Sequence, residues 1–210
     1  MQGILCFGDS ITFGVGETPG KGWCGRLKDF YEPKGFHKGV FNLGVPGHDS
    51  NNLLARFDAE CKTRIRLKRP TDKFTILIAI GTNDCKWEGM PEDNQPHISE
   101  EQFRENIQEL VAKARSYKAK LAFIGIPPVD ESLTLPFEET AFKNERVKIY
   151  NDIIKDCCAE EEVLFLDMFS MMIEQTYPDM LTDGVHPNSK GYDFMFQRIL
   201  TFLETNDMLP

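Results

Sequence analysis

The chain of 210 residues has the length of one sizeable α/β domain, and we predict a single domain over residues 1–210. Its hydrophobic fraction of 41% and charged fraction of 27% are ordinary for a globular protein and argue against a disordered chain. The formal net charge of -9, without a basic stripe, argues against nucleic acid as a partner.

Cysteine spacing and hydropathy give further expectations. The six cysteines include no Cys-x-x-Cys pair and no histidine cluster at metal-ligand spacing, so we predict no metal site. The first residues lead directly into a strand-like run without the pattern of a signal peptide. No run approaches the ~20 apolar residues that a membrane span needs. We therefore predict a cytoplasmic protein without a membrane span, and the sequence does not indicate its oligomeric state.

Five short, apolar, β-rich runs predict buried strands. The segments between them have apolar residues at helical spacing and predict helices. The runs cover residues 4–7, 40–43, 74–80, 121–126 and 163–166. Ser99 and Gln102 have the spacing of a capping box, and Asn188 is a good cap for the last helix. This alternation predicts a three-layer α/β/α fold with a five-stranded parallel sheet in flavodoxin-like order.

In such a fold the functional groups lie at the carboxyl ends of the strands. The segments expected there are 8–22, 44–50, 81–98, 127–136 and 180–187. The longest excursion, 85–97, is a candidate lid or substrate wall. Its Trp87 and Met90, with Phe137 and Phe142, could line a site, although ordinary packing is the commoner role of such residues.

Gly8-Asp9-Ser10 follows the first predicted strand at a predicted helix start. Backbone amides converge at such a position, so Ser10 is a candidate nucleophile. In isolation the tripeptide fits a serine that merely caps the helix better.

Asp183-Gly-Val-His186 is more specific, because a carboxylate three residues before an imidazole can hold Nδ1 and leave Nε2 free to take a proton. A turn with both side chains in solvent is the alternative. Asn83 follows the strongest strand and carries an amide that can donate to an anion, and Gly47 allows close backbone approach. Taken singly, both residues also fit plain turns.

Gly8-Asp9-Ser10, Gly44 to Gly47, Gly81 to Asp84 and Asp183 to His186 resemble, in this order, the four sequence blocks of the SGNH hydrolases, the GDSL esterase and lipase family. The resemblance implies ester hydrolysis with Ser10 as nucleophile, His186 as base and Asp183 as the carboxylate that orients it. It also implies an oxyanion hole formed by the Ser10 and Gly47 amides and the Asn83 side chain, with Gly44 as the alternate to Gly47.

Some positions depart from the family pattern. Ile11 replaces a leucine, which is a conservative change. His48 and Cys85 stand beside the blocks and are candidates for substrate contact, but a surface imidazole and a packed thiol are the simpler interpretations. The remaining histidines, His37 and His97, are interpreted as surface residues.

The expected partner is a small-molecule ester, with short acyl or acetyl esters favoured, and the reaction needs no cofactor. A thioesterase or a lysophospholipase at the same site remains open. A non-catalytic binder and a nucleotide-binding domain are the more distant alternatives. The nucleotide alternative is weakened because the glycines from Gly14 to Gly22 do not match the spacing of dinucleotide or P-loop motifs.

Overall fold

The computed structural model describes residues 1–92 and 95–210. Its strands are, in chain order, β1 (Gln2–Gly8), β2 (Lys38–Gly44), β3 (Lys73–Ala79), β4 (Trp87–Glu88), β5 (Lys120–Ile124), β6 (Thr140–Ala141) and β7 (Leu164–Leu166). The α-helices are α1 (Ser10–Phe13), α2 (Gly22–Tyr31), α3 (Ser50–Arg64), α4 (Glu100–Arg115), α5 (Asn144–Glu160), α6 (Met168–Ile173) and α7 (Ser189–Thr205). Two 3-10 turns cover Glu32–Lys34 and Tyr177–Met180.

Five strands form one sheet in the order β2-β1-β3-β5-β7, and every neighbouring pair is parallel. Renumbered within the sheet this is the 2-1-3-4-5 order of flavodoxin-like folds, which confirms the predicted fold. The strand order reverses at β1, so the chain leaves the sheet in opposite directions after β1 and β3. A crevice at the carboxyl ends of these two strands is therefore the expected ligand site.

The sheet has an apolar layer on each face. On one face α3, α4 and α5 bury Phe57, Ile107 and Tyr150 against strand residues that include Phe7. On the other face α2 and α7 bury side chains such as Trp23 against the alternate strand residues. Because successive strand side chains point to opposite faces, β1 contributes to both layers.

The boundaries of several elements differ slightly from the prediction. The strands β3 and β5 end before the apolar runs do, and β7 begins one residue later than predicted. Ser99 accepts a hydrogen bond from the Gln102 amide at 3.2 Å, but the Gln102 side chain donates to Asn106 at 3.0 Å. The predicted reciprocal capping box is therefore wrong there. A reciprocal box starts α3 instead, between Asp49 and Asn52.

Two further properties concern the described part of the chain. None of its helices combines the length and the apolar character that a membrane crossing requires. All six cysteines are free and buried. Burial raises the pKa of the Cys61 and Cys158 thiols to about 12, as expected for small hydrophobic side chains.

Candidate active site

Ser10 lies at the carboxyl end of β1, as the first residue of the single-turn helix α1. The cap of this helix is Asp9, whose side chain accepts a hydrogen bond from the Ile11 amide at 2.9 Å. The helix ends at Gly14, whose φ of 108° is favoured by glycine. The interpretation of Ser10 as a cap is thus wrong, because Asp9 takes that position and the serine hydroxyl does not cap the helix.

The Ser10 hydroxyl and the His186 ring are in hydrogen-bond contact. Ser10 Oγ lies 2.9 Å from His186 Nε2, although the two residues are 176 positions apart. His186 Nδ1 lies 2.7 Å from Asp183 Oδ2. The structure therefore brings together the three side chains that the sequence nominated, and it contradicts the alternative of a solvated Asp183 and His186.

Local backbone geometry fixes Asp183. Its Oδ1 accepts hydrogen bonds from the amides of Val185 at 3.0 Å and His186 at 2.8 Å. Burial raises the pKa of Asp183, but the hydrogen bonds from the His186 ring and from the two amides outweigh it and lower the pKa to about 2. The carboxylate is therefore ionised at neutral pH beside the imidazole.

Contacts between the loop after α1 and the segment before α7 hold the serine and the histidine together. Tyr192 Oη donates to the Val15 carbonyl at 2.5 Å, and Thr182 Oγ1 donates to the Gly16 carbonyl at 2.6 Å. A Cβ on Gly16 would lie 2.8 Å from the His186 Cβ. Glycine therefore permits the close approach of the two segments.

The serine and histidine open into a cavity of about 640 Å³, which Gly47 and Asn83 also line. One N–H of the Asn83 side chain donates to the His48 carbonyl at 2.9 Å, and the amide has a second N–H. The Gly44 amide donates to the Asn42 side chain at 3.0 Å, and Gly44 does not line the cavity. Of the two candidate glycines, Gly47 alone lies at the cavity.

Part of the cavity wall comes from two segments, distant in sequence, that pair as the antiparallel ribbon β4·β6. Phe137 and Phe142 line this wall and pack edge to face with ring centroids 5.9 Å apart. Trp87 and Met90 are not among the described residues that line the cavity. Residues 93–94 of the predicted excursion lie outside the described residues.

Two carboxyl groups near the site, Asp9 and Asp84, are buried, which their place in the sequence motifs does not predict. Asp84 accepts hydrogen bonds from the Ser50 amide at 3.0 Å and from the Ser50 hydroxyl, and burial raises the pKa of Asp84 to about 7. Asp9 is also buried, and its Oδ2 has no partner in the described part of the structure. Burial raises the pKa of Asp9 to about 6.

Cys85 and His48, which stand beside the motifs, lie in different environments. Cys85 is buried, and its Sγ lies 3.3 Å from the Thr82 carbonyl, which confirms a packed thiol. His48 is half-buried and accepts a hydrogen bond from Arg56 Nε at 3.3 Å. Burial and the Arg56 charge lower the pKa of His48. Neither side chain lines the cavity.

A sequence model of the GDSL-like Lipase/Acylhydrolase family matches residues 6–194, which include all four blocks. The chain belongs to this family. Its membership confirms the resemblance drawn from the four blocks and classes the chain with the carboxylic ester hydrolases.

Several relatives of this GDSL-family chain are named as esterases. It is 28% identical over 151 residues to the isoamyl acetate-hydrolyzing esterase of Saccharomyces cerevisiae, an alignment covering 66% of this chain and 60% of the relative. It is 24% identical over 188 residues to esterase TesA of Pseudomonas aeruginosa, covering 89% and 80% of the two chains. The crystal structure of a lipase/acylhydrolase from Enterococcus faecalis shares the fold, with a TM-score of 0.72, 22% identity and coverage of 98% and 97%.

Proposed function

We propose that this chain hydrolyses short-chain carboxylic esters through an acyl-enzyme on Ser10, with His186 as general base and Asp183 orienting the imidazole. The observation that carries the proposal is the unbroken contact from Ser10 Oγ to His186 Nε2 at 2.9 Å and from His186 Nδ1 to Asp183 at 2.7 Å. A nucleophile, its base and the group that orients the base stand in the order that acyl transfer requires.

In the first half-reaction His186 Nε2 takes the hydroxyl proton as Ser10 Oγ bonds to the ester carbonyl carbon. The imidazolium then gives this proton to the departing alcohol as the carbon–oxygen bond breaks. In the second half-reaction water attacks the acyl-serine and His186 takes its proton, and the imidazolium then gives this proton to Ser10 Oγ as the bond to the acyl carbon breaks and the acid leaves. The ionised Asp183 stabilises the imidazolium in both halves.

The proposed oxyanion hole consists of the amides of Ser10 and Gly47 and the Asn83 side chain. Two observations support it: Gly47 and Asn83 line the same cavity as Ser10, and the amide of the alternate Gly44 is already engaged by Asn42. The Ser10 amide belongs to the first turn of α1, where amides have no partner within the helix. Such donors stabilise the negative charge that develops on the carbonyl oxygen.

The preference for a short acyl group rests on a relative whose name specifies an acetate ester. Thioester and lysophospholipid hydrolysis use the same chemistry, and rates on substrates of each class distinguish them from ester hydrolysis. The acyl-length preference is tested with a series of esters. Initial rates on 4-nitrophenyl esters from acetate to decanoate should show the highest kcat/KM at two to four acyl carbons. A maximum at eight or more carbons would contradict this preference.

The test of the nucleophile is Ser10→Ala. Removal of Oγ leaves no atom to form the acyl-enzyme, so we expect kcat on 4-nitrophenyl acetate to fall by at least ~10³-fold. Ser116→Ala, at the exposed end of α4, is the matched control and should retain wild-type activity. Mass spectrometry after treatment with a fluorophosphonate should place one adduct on Ser10. Full activity of Ser10→Ala, or ligand binding by the wild type without turnover, would refute the proposal.

A further inference from the structure

A tight turn with two consecutive glutamates stands at the rim of the cavity. Phe137 and Thr140 flank the turn and exchange backbone hydrogen bonds, with Thr140 N to Phe137 O at 2.9 Å and Phe137 N to Thr140 O at 2.7 Å. Glu138 and Glu139 occupy the two positions between them, and both line the cavity. The Glu139 carbonyl accepts from the Gly89 amide at 2.8 Å, which fastens the turn to the β4 segment.

The backbone at the tip is unusual for its residue type. Glu138 has a φ of 54°, in the left-handed region that glycine, asparagine and aspartate adopt more readily than glutamate. A glutamate held in this conformation strains the backbone where glycine would not. Lys118, Glu162 and Asp207 have similar φ values but do not line the cavity, so it is the position of Glu138 at the cavity that suggests a role for its side chain.

The charges at the rim do not cancel. Glu88, which also lines the cavity, is paired with Lys86 at 3.2 Å and with His97 at 2.9 Å. Glu138 and Glu139 form no salt bridge within residues 1–92 and 95–210. Lys86 is paired with Glu88, so two exposed glutamates line the cavity without a salt bridge in the described structure.

We infer that Glu138 and Glu139 select substrates by the charge on the alcohol part of the ester, accepting uncharged and cationic alcohols and repelling anionic ones. The inference rests on the proposed ester hydrolysis at Ser10. Two uncompensated carboxylates at a cavity mouth raise the local concentration of cations and lower that of anions. Esters and thioesters whose leaving group has a net negative charge, such as one that ends in a phosphate, are therefore poor substrates.

Three acetates with the same acyl group test the inference. They are acetylcholine as the cation, 3,3-dimethylbutyl acetate as its uncharged isostere, and 3-acetoxypropane-1-sulfonate as the anion, each followed by acid release in a pH-stat. At ~10 mM salt we expect kcat/KM to fall from cation to neutral to anion by about tenfold in all. At ~0.5 M salt screening should compress this range to about threefold or less.

The double variant Glu138→Gln/Glu139→Gln removes the charge and keeps the size of both side chains. We expect its kcat/KM on the anion to rise about threefold to fivefold and that on the cation to fall by a similar factor, with the neutral ester unchanged within twofold. The control Glu101→Gln/Glu204→Gln makes the same change of net charge at exposed positions on α4 and α7 and should keep the wild-type ranking.

The results separate this inference from the proposed function. Two outcomes overturn the inference alone, provided that hydrolysis of the neutral ester depends on Ser10. In the first, kcat/KM does not differ among the three acetates. In the second, the Glu138/Glu139 variant ranks the three acetates as the control does. Undiminished hydrolysis of all three acetates by Ser10→Ala overturns the proposed function.

Discussion

Asn83 shows how a single side chain can divide its hydrogen bonds between structure and chemistry. One N–H of its amide donates to the His48 carbonyl at 2.9 Å, which fixes the orientation of the group. The amide has a second N–H, and Asn83 lines the cavity. A donor held in advance in this way costs no reorganisation when negative charge develops on a substrate oxygen.

The change Asn83→Ala should therefore lower kcat more than it raises KM. Loss of one oxyanion donor typically costs ~10²–10³ in kcat, and we expect a loss in this range on a short acetate ester. Steady-state kinetics with wild type and variant measure both constants. An unchanged kcat with a raised KM would show that Asn83 contributes to ground-state binding and not to the transition state.

At the residue scale the sequence predicted the contacts that depend on nearby residues or on a recognised motif. Asp183 and His186 are three positions apart, so the geometry of one turn sufficed to predict their contact. The raised pKa of Asp84 depends on burial under several segments, which no local pattern reveals. The same holds for Glu138 and Glu139, because their place at the cavity depends on the pairing of two distant loops.

The junction of β2 with α1 is a crowded contact between elements near the serine. A Cβ added to Gly44 would lie 2.2 Å from the Phe13 amide nitrogen and 2.7 Å from the Asp9 carbonyl oxygen. Both are backbone atoms, so a side chain can be accommodated only by moving α1. The end of β2 thus positions the helix that carries Ser10.

Gly44→Ala should accordingly impair stability and activity together. We expect a loss of ~1–3 kcal/mol in the free energy of unfolding, as for other overpacked sites, and a fall in kcat as Ser10 shifts. Gly39→Ala on the same strand is the control, because its Cβ would come no closer than 3.4 Å to the Met1 side chain. Urea denaturation and kinetics of both variants provide the measurement. Equal effects of the two substitutions would contradict the crowding at Gly44.

At the element scale the predicted strands of the sheet and their alternation with helices are confirmed, because each has a sustained apolar pattern. The sequence did not predict the ribbon β4·β6, because strands of two residues are too short to show the alternation of apolar and polar residues that marks a strand. Its pairing also joins Trp87 to Ala141 across a long stretch of chain, which no local signal encodes.

For the whole molecule, the buried carboxyl group of Asp84 links stability to pH. Its pKa is about 7 in the folded protein and near the ordinary value of 3.8 when unfolded, because burial disfavours the charged form. Between these two pH values the folded state binds more protons than the unfolded state. The contribution of Asp84 to the free energy of unfolding is therefore present below about pH 4 and is lost as pH rises towards 7.

Asp84→Asn removes this titration. Relative to the wild type, the variant should gain about 3 kcal/mol in the free energy of unfolding between pH 4.5 and pH 7.5, whatever its absolute stability. Urea denaturation at the two pH values measures the difference. Asp179→Asn, at an exposed position, should follow the wild type at both. If the difference in the free energy of unfolding between wild type and Asp84→Asn were the same at both pH values, the linkage would be refuted.

The contact between Ser10 and His186 has a further consequence for how the protein is made. The two residues are 176 positions apart, and translation proceeds at about 5–20 residues per second, so Ser10 is synthesised roughly 9–35 s before the histidine. During this interval the nascent chain carries the proposed nucleophile without its base. Esterase activity should therefore appear only after residue 186 has been synthesised, and a ribosome-bound chain stalled before that residue should be inert towards esters.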